Sequence, residues 1–231
     1  MSTVTDTRTF NLADTPLREV NRALHQDDVA GSIAISNPRG AHSVAAGVNA
    51  PVEITIEGHV GYYAAGMNQQ ASITIAGNAG VGVAENMMSG RVHVRGNASQ
   101  SAGATAHGGL LVIDGDAAAR CGISMKGVDI VVGGSIGHMS AFMAQAGRLV
   151  VRGDAGDALG DSIYEARLYV KGQVASLGAD CVAKEMRQEH HDELRELLDA
   201  AGYPEDDTSD YTRYGSARQL YHFKTDNLSA Y

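Results

Sequence analysis

The sequence predicts an all-β solenoid, a parallel β-helix of about seven to eight 19-residue coils with one strong strand per coil, and three observations carry this. First, Gly58, Gly77, Gly96, Gly115, Gly134, Gly153 and Gly172 follow one another at intervals of 19 residues. Second, Ile56, Ile75, Val94, Ile113, Val132, Val151 and Val170 stand two places before these glycines, and Ile54, Ile73, Val92, Leu111, Ile130, Leu149 and Leu168 four places before. This period of two is that of a half-buried strand. A fixed repeat of such length means coils that bury their apolar faces against one another. Third, the 231 residues include 28 glycines, three phenylalanines and no tryptophan. Small and β-branched side chains suit a thin, layered core.

The elements follow in order. Residues 1–31 read as an N-terminal cap with a short helix: Thr15-Pro16 is a helix-start pair, Leu17, Val20 and Leu24 recur at helical spacing, and Gly31 closes the segment. Ser32-Ile33-Ala34-Ile35 opens the first coil, whose Asn37-Pro38-Arg39-Gly40 corner is one residue out of register. Seven regular coils occupy the rest of the solenoid, residues 32–180 overall. With strands about 4.8 Å apart they span on the order of 34 Å. The corner glycines are expected to supply positive φ. Three places beyond them stand Gly61, Gly80, Ser99, Ala118, Gly137, Gly156 and Ala175, small enough for close approach of coils.

Open solenoid ends expose core and strand edges and must be covered. The N-terminal helix is expected to cover one end. In residues 181–231 the pattern changes to a helix running from Ala183 to Ala201, with Met186, Leu194, Leu197, Leu198 and Ala201 on one face and Gly202 as its stop. That helix is expected to cover or flank the other end. The remaining tail is acidic and holds Tyr203, Tyr211, Tyr214, Tyr221 and Tyr231, material for a docking segment.

Charge and composition narrow the function. The formal net charge is −9, against nucleic acid, which requires a basic footprint. No leader-type apolar segment follows Met1 and no run reaches the length of a membrane span, so a cytoplasmic location is expected. Cys121 and Cys181 are far apart in the sequence and read as small buried thiols.

Catalytic signatures are missing where they would be expected. Gly77-Asn-Ala-Gly-Val-Gly82 has the glycines of a phosphate loop without its lysine. There is no Gly-x-Ser-x-Gly elbow, and neither Cys-x-x-Cys nor His-Glu-x-x-His supplies zinc spacing. His190 and His191 are neighbours on a helix and point in different directions. His107 and His138 lie between strands and imitate the general base of hexapeptide acyltransferases. Three hexapeptides make 18 residues per coil, however, and this chain keeps 19.

The repeat resembles the GXGXG domain, which closes the large chain of glutamate synthases. The resemblance rests on Gly77-Asn-Ala-Gly-Val-Gly82, Gly96-Asn97, Gly115-Asp116 and Gly153-Asp-Ala-Gly156, with Val83–Gly90, Ala106–Gly109 and His138–Gly147 between them. It spans roughly Ile33 to Asp180 and implies a right-handed β-helix. Standing alone, the domain is similar to the β-helix subunit of N-methylglutamate synthase (methylamine–glutamate N-methyltransferase). A second relative is the β-helical subunit of formylmethanofuran dehydrogenase. The resemblance implies a non-catalytic scaffold subunit in a complex that makes N-methylglutamate and ammonia from methylamine and glutamate. A glutamine-amidotransferase-like subunit and a synthase subunit carrying FMN and an iron–sulfur cluster are the implied partners in a hetero-oligomer. It transfers no catalytic, cofactor or metal residue onto this chain, and no cofactor is expected on it. Tyr62, Tyr63, Met87, Met88, Phe142, Met143, Tyr211, Tyr214 and Tyr221 are the candidate interface residues. A free-standing binding solenoid and a hexapeptide-type transferase are the other readings.

Overall fold

Ile33, Ile54, Ile73, Val92, Leu111, Ile130, Leu149 and Leu168 stack in one register, strand upon strand, and all are buried. The computed structural model that shows this column describes residues 7–220. Its architecture is a right-handed parallel β-solenoid. The strands are β1 (Arg8–Asn11), β2 (Ser32–Ser36), β3 (Glu53–Glu57), β4 (Ser72–Ile75), β5 (Arg91–Val94), β6 (Leu110–Ile113), β7 (Lys126–Val132), β8 (Ala146–Val151), β9 (Arg167–Val170), β10 (Cys181–Lys184) and β11 (Thr212–Ser216). Helices α1 (Leu17–Leu24) and α2 (Gln188–Ala201) flank the coils. A second ladder of single-residue bridges, Val60, Ala79, Ala98, Ala117, Ile136, Ala155 and Val174, runs down another side of the rod.

The regular coil-to-coil offset, that of Ile54 with Ile73, holds from β3 to β9, whereas β2 and β3 pair Ile33 with Ile54. The first coil is therefore two positions longer than the rest in its strand register, not one.

Between the two ladders each coil turns through alternate left-handed residues. Tyr63, Ala65 and Met67 have φ of 59°, 54° and 53°, and the pattern returns at Ser101 (61°), Gly103 (66°) and Thr105 (54°). Left-handed backbone costs a non-glycine residue roughly 1–2 kcal/mol, and hydrogen bonds to both neighbouring coils hold it here. The Tyr63 amide donates to Val81 O at 2.8 Å, the Ala65 amide to Val44 O at 2.9 Å, and the Met67 amide to Glu85 O at 2.8 Å.

At the amino end β1 adds a further parallel strand, and α1 buries Val20 and Leu24 against the core. Pro16 is the N-cap of α1, and no side chain caps the helix. At the other end the helix expected from Ala183 begins only at Gln188, because Cys181–Lys184 is drawn into the sheet as β10. The Arg187 amide donates to His190 Nδ1 at 3.0 Å at the start of α2, and Gly202 (φ 95°) ends it as predicted.

β11 then inserts between β9 and β10, antiparallel to both. The helix lies on the outer face of the sheet and flanks the coils. Leu194, Leu197, Leu198 and Ala201 pack with Val112, Val131, Val150 and Tyr169, the outward residues of β6 to β9. Those strands are buried on both faces, while β3 alternates exposed and buried residues.

Candidate functional site

The glycine-plus-polar motif has a structural role that the spacing alone conceals. Of the seven corner glycines only Gly58 has positive φ, at 140°. The expected reason for Gly77, Gly96, Gly115, Gly134, Gly153 and Gly172 is thus corrected: close approach, not backbone freedom, excludes a side chain. From His59 to Asp154, the polar residue after each corner sends its side-chain acceptor along the rod to the backbone of the next coil. The Asn97 amide donates to Asn78 Oδ1 at 2.9 Å, the Asp116 amide to Asn97 Oδ1 at 2.8 Å, and the Ser135 amide to Asp116 Oδ1 at 2.7 Å. The series continues from the Asp154 amide to Ser135 Oγ at 3.0 Å and from the Gln173 amide to Asp154 Oδ1 at 2.7 Å. A Cβ on Gly96, Gly115, Gly134 or Gly172 would lie 2.1–2.3 Å from one of these carboxyl or amide oxygens.

The candidate interface residues separate by exposure. Tyr62 is 54% exposed, Met88 48% and Met143 38%. Tyr63 and Phe142 are half-buried. Met87 lies wholly inside the core and presents no surface. Tyr211 is buried under α2 and Tyr214 packs against the solenoid core, so neither belongs to a free tail. Tyr221 lies outside the described residues.

Two exposed apolar residues missed by the sequence reading adjoin this set. Val81 occupies Tyr62's position one coil on, and Met67 precedes Asn68, whose carbonyl accepts the Met88 amide at 2.8 Å. Tyr62 stacks on His42 with ring centroids 4.0 Å apart, and its amide donates to His42 Nδ1 at 3.1 Å.

The segment after α2 is pinned by charge. Asp206, 5% exposed, accepts two hydrogen bonds from Arg152 at 2.7 and 2.9 Å and one from the Tyr211 hydroxyl at 2.6 Å. Arg152 holds the Asp206 carboxyl well below the usual carboxylate range, and Tyr211 and Lys171 add to the effect. The Arg152 guanidinium also lies over the Tyr203 ring, 3.9 Å from its centroid, and the Tyr203 hydroxyl donates to Asp114. Nearby, Glu193 on α2 accepts from the Tyr169 hydroxyl and pairs with Arg167 at 3.1 Å.

The remaining reactive side chains do not converge. His107 and His138 are exposed on separate inter-strand segments. Burial pushes the thiol pKa of Cys121 and of Cys181 up to about 12, which keeps both protonated. Among the described residues no group of three or more His, Cys, Asp or Glu side chains is placed to hold a metal ion. No helix among them is long and apolar enough to cross a membrane.

The chain is 60% identical over 225 residues to Protein GlxC of Rhizobium meliloti (strain 1021), an alignment covering 96% of this chain and 99% of that protein. No protein-family model matches the chain.

Proposed function

This chain belongs to the GlxC family, and from that premise we propose that it is a non-catalytic β-solenoid subunit of a glutamate synthase-like complex. One observation supports this reading most. The glycines and the Asn, Asp and Ser side chains that carry the GXGXG resemblance form an axial hydrogen-bond ladder, with the amides of Asn97, Asp116, Ser135, Asp154 and Gln173 as donors. They turn and tie the coils, and such a rod keeps partners bound along it at fixed separation. The complex proposed is N-methylglutamate synthase, which forms N-methylglutamate from methylamine and glutamate with loss of ammonia. In it, an amidotransferase-like subunit and a synthase subunit bearing FMN and an iron–sulfur cluster carry the chemistry. A right-handed solenoid with one regular strand pairing per coil disfavours the hexapeptide acyltransferase reading, whose coils are left-handed.

The test is affinity purification of the tagged full chain from its native cell. Stoichiometric recovery of a flavoprotein and an amidotransferase-like chain is expected. The flavin spectrum and methylamine-dependent formation of N-methylglutamate are expected in the complex and absent from the chain after partners are stripped. Recovery of the chain alone, or turnover by the isolated chain, overturns the proposal.

A further inference from the structure

Where β11 folds back between β9 and β10, the antiparallel register sets Lys184 directly opposite Arg213. Like charges directly opposite on a ladder are destabilising. Arg213 is held by main chain: its Nε and Nη2 both donate to the carbonyl of Glu185, at 3.0 and 2.8 Å. Both cations are half-buried, and with Arg167, which also pairs with Glu193, they face a groove of about 360 Å³ at the start of α2. Arg187 and Arg218 stand exposed at its rim. Glu165 is the one carboxylate of the lining, in a chain whose formal net charge is −9.

Gly215 lines the groove, and a Cβ built on it would meet nothing nearer than Ala166 O and Lys184 Cγ, both at 3.8 Å. Unlike the corner glycines, it would accept a Cβ in ordinary van der Waals contact, without collision. The volume falls at the lower end of the roughly 300–1,000 Å³ of small-molecule sites. Guanidinium and ammonium donors at this density match the paired acceptors of carboxylate and phosphate.

We propose that this groove binds a small multivalent oxyanion, a dicarboxylate or a phosphate, between Arg167, Lys184 and Arg213. The inference is independent of the assembly role proposed above. The anion relieves the repulsion between Lys184 and Arg213, and its binding ties β9, β10 and β11 together at the carboxyl end of the solenoid.

Calorimetric titration of the full chain with inorganic phosphate and, separately, with glutarate tests this at constant ionic strength set by chloride. Saturable binding of one or both probes is expected, and the probe that binds identifies the oxyanion. Lys184→Gln is expected to weaken binding by at least about tenfold, the loss of one charge-assisted contact. Its melting temperature without anion is expected to equal or exceed that of the wild type, since the repulsion is gone. Gly215→Leu is expected to block the groove and abolish binding, with the coils intact by circular dichroism. Binding by neither probe, an equal response to chloride, or unchanged affinity in Lys184→Gln overturns the proposal.

Discussion

Asn97 Oδ1 accepts the Asp116 amide at 2.8 Å and lies 2.1 Å from the point where a Cβ on Gly115 would stand. The glycine and the polar residue of one coil are thus a single device: the first leaves the space through which the acceptor of the coil below reaches the second. Gly115→Ala is expected to lower stability by about 1–3 kcal/mol, as overpacking does. Adding Asn97→Ala removes the colliding oxygen, so the double variant is expected to lose less than the sum of the single losses. Urea denaturation of the four proteins measures the coupling. Additive losses would show that the two residues act separately.

Ala158 is left-handed, with φ of 57°, at the position Gly82 holds in an earlier coil. Its amide donates to Ser176 Oγ at 3.0 Å, a contact that glycine retains. Ala158→Gly is expected to stabilise by about 0.5–1 kcal/mol, because relief of left-handed strain exceeds the entropy cost of glycine. A lower urea midpoint for the variant would contradict that balance.

Asp206 supplies the pH dependence. Its folded pKa lies below its unfolded value, chiefly through the Arg152 hydrogen bonds. The stabilisation is therefore present above the unfolded carboxylate pKa of about 3.9 and is lost as pH falls through the lower folded value. Asp206→Asn is expected to cost about 2–3 kcal/mol at neutral pH, since it leaves Arg152 without its buried counter-charge. Melting curves of both proteins are expected to differ widely at neutral pH, to begin to close below about pH 4 and to converge only below the folded value. A gap that stays constant into acid would remove Asp206 as the titrating group.

The covering of the outer face of β6 to β9 is legible in the residue between the two aliphatic columns. It changes from Thr55, Thr74 and His93 to Val112, Val131, Val150 and Tyr169, and that change marks where α2 lies. The solenoid itself follows from the glycine and aliphatic columns, because every coil repeats the same local demands. β11 is not legible: Thr212-Arg-Tyr-Gly-Ser216 has no strand periodicity, and the open edge of β9 decides its conformation. The left-handed turns escape for a similar reason, since Tyr63, Met67 and Thr105 take that backbone from hydrogen bonds between coils and not from their own preference. The groove beside Gly215 depends on the same inserted strand.

Leu194 tests the covering of that outer face. It is wholly buried between α2 and the sheet, and Leu194→Ala is expected to cost roughly 3 kcal/mol from lost transfer energy and the cavity left behind. The loss is expected as a lower urea midpoint, with protection from hydrogen exchange reduced in α2 first, because the helix is attached to the coils mainly by this cluster. Equal loss of protection throughout the rod would instead mean that α2 and the coils unfold as one unit.

Met87 and Met88 are adjacent in sequence and opposite in environment, one wholly buried and the other 48% exposed. Met87→Ala is expected to destabilise the chain by about 2–5 kcal/mol. Combined Tyr62→Ser and Met88→Ser is expected to change stability by no more than about 0.5 kcal/mol for each surface site. If these exposed positions meet a partner, the double substitution reduces the amount of partner recovered with the tagged chain while the melting temperature holds. Large exposed aromatic and methionine side chains contribute binding area that serine cannot replace. Undiminished recovery would clear Tyr62 and Met88 as contacts and direct attention to the rest of the rod.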